Sequence, residues 1–291
     1  LNAIDTSVLK GDDRIDWKFA KSILSGREIE QSGIMPWKRD PRLYMTFTGL
    51  STVMESPASL KEKAEKIGNT LRLAVIQMSN GRKQLETHVP RFRDLGLFMA
   101  ENSRVLLGEE LTAFIANNNL PELEPQVREA ATELERYIAF LKDELPGKPE
   151  GNFAIGDSLY NALLRGQYLL GYDADSLYAF GRAQFDATVN ELEQLAATMK
   201  PGTTWQQLAR EIKQEYPEPH SMIEVHQEWV NKTRDHVLAN NLIPIPWKER
   251  VKVVARAPYL RKTSYYGHFS FAREKDADSI YTSEMHINPF E

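Results

Sequence analysis

With 291 residues and 42% apolar side chains, the chain is long enough for one large domain or two ordinary ones, with a core that needs no covalent staples. Lys plus Arg number 36 against 41 Asp plus Glu, and the resulting net charge of -5 is spread along the sequence, which gives no electrostatic reason to expect nucleic acid or an anionic membrane as partner. Cysteine is absent, which excludes disulfide frameworks, thiolate metal sites, iron–sulfur clusters and cysteine nucleophiles, so any metal would need His and carboxylates.

The opening Leu1-Asn2-Ala3-Ile4-Asp5 is not a signal peptide, and no run approaches the ~20 apolar residues of a spanning helix. The chain starts without Met and stops on the extended-looking His286-Ile287-Asn288-Pro289-Phe290-Glu291, so both ends read as cut. The compartment stays open, and an exported or periplasmic location is compatible with the composition.

Helical periodicity dominates to about residue 240. Helices are expected at roughly 12–31, 42–54, 58–79 and 89–117, separated by Met35-Pro36, Ser56-Pro57 and Asn80-Gly81. Over 121–145, Leu123, Val127, Ala130, Leu134, Ile138, Leu141 and Leu145 form one apolar stripe that Pro146-Gly147 ends. The polar, breaker-rich Lys148-Pro149-Glu150-Gly151-Asn152 is the best internal boundary, dividing a helical region 1–147 from a second region 152–291, although a loop within one helical body would read the same way. A helix over 154–170 follows. The next, 174–199, has Asp173 or Asp175 as a cap and a stripe of Tyr178, Gly181, Phe185, Val189, Leu192, Ala196 and Met199. Helices at 204–215 and 220–240 complete the array.

After Ile243-Pro244-Ile245-Pro246 the texture changes. Val251–Ala255 and Ser279–Ile287 are rich in β-branched and aromatic residues and read as two strands, too few for an independent sheet. Further strands or covering helices are expected beyond residue 291. Between them, 259–271 is unusually aromatic and reads as a loop that either lines a cleft or packs in a core or interface. The five tryptophans read as packing residues.

A His-Glu-x-x-His helix, which sets two imidazoles one turn apart beside a Glu, occurs nowhere. The densest cluster runs from His220 to Glu228. A weak metal site at His220, Glu224 and His226 or His236 is conceivable there, but an exposed polar face opposite Trp229 is the simpler reading. Phosphate-cradling glycine loops and a Gly-x-Ser-x-Gly elbow are also missing, so neither nucleotide binding nor a serine hydrolase has support.

Several blocks together resemble a bacterial family, domain of unknown function 885, whose members look like zinc metallopeptidases of the gluzincin type. The blocks are Arg14-Ile15-Asp16, Trp37–Tyr44, Arg72 on its long helix, Val89-Pro90-Arg91-Phe92, Gly156–Arg165 leading into Tyr172–Gly181, Val251–Val254, Tyr265-Tyr266, and the strand from Ile280 to Asn288. The resemblance implies the front half of a zincin-like fold: a mainly α, multi-helix array with a small β-sheet near the C-terminus. In that family a His-Glu-containing metal segment and a later acidic ligand follow the last strand. Neither occurs here, so no metal ligand or catalytic base is carried onto this chain, and zinc is expected only for a full-length member. The resemblance further implies a cleft wall for a peptide or small amide substrate, completed by a missing C-terminal half or a second chain. Tyr265, Tyr266, His268 and Tyr281 are the residues expected to face that cleft. The alternative is a non-catalytic helical binding or scaffold protein.

Overall fold

The computed structural model describes residues 4–56, 58–256, 267–272, 275 and 279–288. The chain gathers into two compact units, Leu1–Asn190 and Glu191–Glu291.

In the first unit, α1 (Gly11–Ile29) widens into a π-helical turn at Glu30–Ile34. Met35 at φ 48 closes it by returning its N–H to the Glu30 carbonyl at 2.7 Å, and Pro36 prevents continuation. A continuous helix over 42–54 does not form. Single 3-10 turns at Pro36–Lys38, Pro41–Tyr44 and Phe47–Gly49 lead to α2 (Leu50–Glu55). The cause is local: Pro41 starts a turn that Asp40 caps by accepting from the Arg42 N–H at 3.0 Å, and Met45 then turns extended. These turns place Tyr44, Met45, Phe47 and Leu50 in the core.

The core is built on α3 (Leu60–Gln84) and α6 (Glu124–Ala139), which pack together. A reciprocal Ser59–Glu62 capping box starts α3, and Ile67, Leu71, Ala74 and Met78 recur at three- and four-residue spacing to make its buried stripe. From α6 come Ala130, Leu134, Tyr137 and Ile138, all buried. The Tyr137 hydroxyl donates to the Pro41 carbonyl at 2.7 Å, and buried Glu133 meets Arg82 at 2.5 Å, so the polar groups drawn inside have partners. Gly81 lets α3 lie against Tyr44, since a Cβ there would fall 2.7 Å from the ring.

The expected 89–117 helix is α4 (Pro90–Val105), a π-helical turn at Leu106–Glu110, and α5 (Leu111–Asn118). A third π-helical turn, Phe140–Glu144, extends α6. In each the wider turn resets the helical phase, so that Leu106, Leu107 and Leu111, and likewise Phe140, Leu141 and Leu145, are all buried.

After α7 (Asp157–Gly166), α8 (Ala174–Met199) begins in the first unit and ends in the second. Asp173 caps it, exchanging hydrogen bonds with Ser176. The apolar stripe expected on this helix is present in sequence and largely unburied in the fold. Tyr178 is 73% exposed and Phe185 57%, and Ala196 is the residue α8 buries.

In the second unit α9 (Trp205–Ile212) carries a Thr204–Gln207 capping box, and α10 (Met222–Ala239) precedes the sheet. The strands are β1 (Glu249–Ala255), β2 (Gly267–Ser270) and β3 (Tyr281–Ile287), in the order β1-β3-β2. β1 runs parallel to the central β3 from Glu249 opposite Tyr281 to Ala255 opposite Ile287, and β2 is antiparallel, with His268 opposite His286. The third strand lies inside the stretch read from sequence as a loop. Gly267 makes its entry possible: φ is 142, and a Cβ would fall 2.0 Å from the His286 carbonyl oxygen. α10 packs along β1, and one of its side chains occupies the outer edge of the strand. Gln227 of α10 donates from Nε2 to the Val251 carbonyl at 2.9 Å and accepts the Val253 N–H at 2.8 Å, as a neighbouring strand would. Arg234 of α10 adds an ion pair to Glu249 at 2.6 Å.

Candidate functional site on the C-terminal sheet

The pleat sorts the sheet's side chains by parity. Val253, Phe269, Met285 and Ile287 share one face by register, and Glu284, His286 and His268 share the other. Arg256, just past β1, joins this polar face: its backbone N–H donates to the Ile287 carbonyl at 2.7 Å and its Nη1 reaches His268 Nδ1 at 2.7 Å. The rings of His268 and His286 stack with centroids 4.2 Å apart and planes within 9°. His286 Nε2 lies 3.3 Å from Glu284 Oε2. Arg256 and His286 are buried, and His268 is exposed above them.

This order fixes the chemistry. Arg256 can only donate, so His268 accepts at Nδ1 and a neutral ring carries its proton on Nε2, as a donor facing solvent. Partial desolvation against the sheet, followed by His286 and Arg256, holds His268 below the ordinary imidazole value, against the opposing pull of Glu284. The surface therefore offers an imidazole N–H and a carboxylate, a pair suited to the carbonyl and N–H groups of an amide.

The residues do not fit a zinc ion. Imidazole binds through an in-plane lone pair at about 2.0–2.1 Å, and two parallel stacked rings cannot aim such lone pairs at one point. Among the described residues no three His, Asp or Glu side chains are placed to hold a metal. At the conceivable His220–His236 site two of the imidazoles are engaged locally, His226 Nδ1 with the Met222 carbonyl at 2.7 Å and His236 Nδ1 with Asn240 at 3.3 Å, and the neighbouring Glu228 pairs with Lys232 at 3.0 Å. Trp229 is not packed as expected; it is 63% exposed with the Lys232 ammonium over its ring, and Trp247 is 58% exposed.

Of the four residues expected in a cleft, Tyr265 and Tyr266 lie outside the described residues. His268 and Tyr281 are described but not brought together. They sit near opposite ends of β3, roughly 16 Å apart by strand rise, and on opposite faces by register, with Tyr281 under the Lys275 ammonium. Sequence reasoning missed Arg256, Glu284 and His286 as companions of His268. The alternation Glu284-x-His286 was visible, but without β2 as a strand nothing placed His268 opposite it. Two other blocks prove structural. Arg39 and Arg42 lie over the Phe92 ring at 5.8 and 4.9 Å, and the Tyr44 hydroxyl bonds the Trp37 carbonyl at 2.5 Å and Gln84 at 2.9 Å.

The fold and this surface define a mainly helical protein that presents a small mixed sheet with a polar, imidazole-bearing face. The chain belongs to the family described as bacterial protein of unknown function (DUF885), whose model matches residues 1–282. A solved structure from Shewanella oneidensis, described as "a putative lipoprotein of unknown function", is similar over 100% of this chain with a TM-score of 0.68 at 14% identity. The chain spans 55% of the length of that protein. No curated protein matches the chain. Among the described residues no helix is long and apolar enough to cross a membrane.

Proposed function

We propose that this chain supplies the helical wall and the substrate-facing sheet of a metal-dependent hydrolase acting on peptides or small amides, with the metal-holding segment outside these 291 residues. The observation that supports this reading best is the stacked His268–His286 pair, held by Arg256 and Glu284 next to the outer edge of β2. No strand pairs with that edge among the described residues. An extended substrate laid along β2 would pair its backbone there, with the His268 Nε2–H reaching a carbonyl. In this reading His268 binds and orients substrate, and bond cleavage belongs to the segment outside.

The test compares this chain with the product of its complete reading frame, assaying zinc content and hydrolysis of peptides and small amides. Zinc and turnover are expected only in the longer product. There His268→Gln should raise KM several-fold with little change in kcat. Stoichiometric tight zinc binding or hydrolysis by the 291-residue chain overturns the reading. The second reading is a non-catalytic binding protein that uses the same imidazole-bearing face of the sheet. It would show peptide binding sensitive to His268 with no turnover in either product.

A further inference from the structure

Of the three strands, β2 has the least hold on the sheet. It is four residues long, it pairs with β3 and with no other strand among the described residues, and none of its side chains is buried. By contrast β1 buries Val253, and β3 buries His286 and Ile287. The Phe269 and Phe271 rings meet at 5.0 Å and are both exposed, so they add little burial. Just past the strand, the Ala272 N–H donates to Ser283 Oγ at 3.1 Å. Apart from that bond and the ladder, one imidazole fastens β2 among the described residues: His268, stacked on buried His286 and joined through Nδ1 to Arg256 at 2.7 Å.

That fastening exists in one protonation state. Arg256 can only donate, so Nδ1 must present its lone pair, and the neutral ring carries its proton on Nε2. A second proton goes to Nδ1. It sets two donors against each other at 2.7 Å and adds a positive charge beside the guanidinium and over the His286 ring. Among the described residues the charged and titratable groups on this face are Arg250, Lys252 and Arg256 from the β1 side and Glu284 and His286 from β3, and β2 contributes no other. Glu284 alone favours the charged ring, and it stands 3.3 Å from His286. Burial, His286 and Arg256 outweigh it, so on the sheet the ring is held below the ordinary imidazole value and acid favours the state in which it has left. We propose that His268 is a pH-sensitive latch: neutral, it holds β2 on β3 through Arg256 and His286, and protonated, it leaves them and lets β2 come away. The edge offered to an extended substrate is then present at neutral pH and withdrawn in acid. The inference rests on the reading above only in making that edge the substrate's seat. The latch itself requires neither metal nor substrate.

The experiment is amide hydrogen exchange on the 291-residue chain, corrected for the intrinsic pH dependence of exchange and followed from about pH 7.5 to about pH 5. Protection of the β2 amides should fall several-fold toward acid while the amides of α10, in the same unit, and of α3 keep theirs. His268→Asn, whose side-chain oxygen can stand where Nδ1 does and does not ionise, should hold β2 protection level across the range. Constant β2 protection in the parent chain overturns the proposal, and so does an equal loss in α10, which is unfolding of the whole unit. A loss that persists in His268→Asn, or that only His286→Asn removes, assigns the titration elsewhere and overturns it too. If His268→Asn lacks β2 protection already at neutral pH, the NMR titration of the His268 ring in the parent decides: a midpoint shared with the loss of β2 protection supports the latch, and a separate midpoint overturns it. Zinc and turnover in the longer product with β2 protection constant would sink the latch and leave the hydrolase reading standing. Release of β2 in acid, with neither zinc nor turnover in the longer product, would do the reverse.

Discussion

The α3–α6 body and the α8-to-sheet region use apolar residues in opposite ways. In the first, Leu71, Met78, Leu134, Tyr137 and Phe140 are almost wholly shielded, and the buried Tyr137 hydroxyl and Glu133 carboxylate are paired inside. In the second, Ala196, Val253 and Ile287 are the buried apolar residues among those described, whereas large rings along α8 face outward and the sheet is fastened by Gln227, Arg234 and Arg256. One region carries its stability in its own core, and the other is held by directional polar bonds and leaves its apolar surface for contact.

That contrast can be broken most sharply by truncating a side chain on each side of it. Leu71→Ala should cost about 2–5 kcal/mol by chemical denaturation, through lost transfer energy plus an unfilled cavity between α3 and α6. An equal cost from Phe185→Ala would erase the distinction, because an exposed ring should shift stability by no more than about 0.5 kcal/mol. Next in size is Glu133→Ala, which leaves Arg82 half-sheltered without its carboxylate and should cost about 1–3 kcal/mol. Gln227→Ala should cost about 1–2 kcal/mol, because it removes the partners of the Val251 carbonyl and the Val253 N–H. Its signature is local: faster hydrogen exchange at the Val253 amide, with the amides of α3 unchanged.

The smallest effect is on pH dependence. The folded state holds His268 below its ordinary value of 6.5, so it binds fewer protons there than the unfolded chain does. Its contribution to sheet stability is full above that value and declines as pH falls below it toward the folded pKa. His268→Gln should flatten this decline in thermal melts below about pH 6.5, and an unchanged slope would show that the His286–Arg256–Glu284 surroundings do not act on the ring.

The helices of the first unit were legible because their periodicity is strong and their stops, Pro36 and Pro146 among them, are local. The segment 42–54 was not, because its apolar spacing also fits a helix and masks the local Asp40-Pro41 signal that starts it as separate turns. On α8 the period was visible while its burial was not, since an apolar stripe reads the same whether its partner is near or elsewhere. At the candidate site His268 was picked out from its aromatic neighbourhood. Its companions required strand order and register, which Gly267 sets by permitting a backbone approach that any other residue would block.

Gln227 has a consequence for colloidal behaviour. One amide group of α10 takes two of the backbone bonds that a docking strand would make, and with the helix packed along β1 it keeps the parallel edge of the sheet from templating a second molecule. Removing it would free the Val251 carbonyl and the Val253 N–H while α10 stays packed along β1, so concentrated samples of such a variant should associate more readily through this edge than the parent chain does.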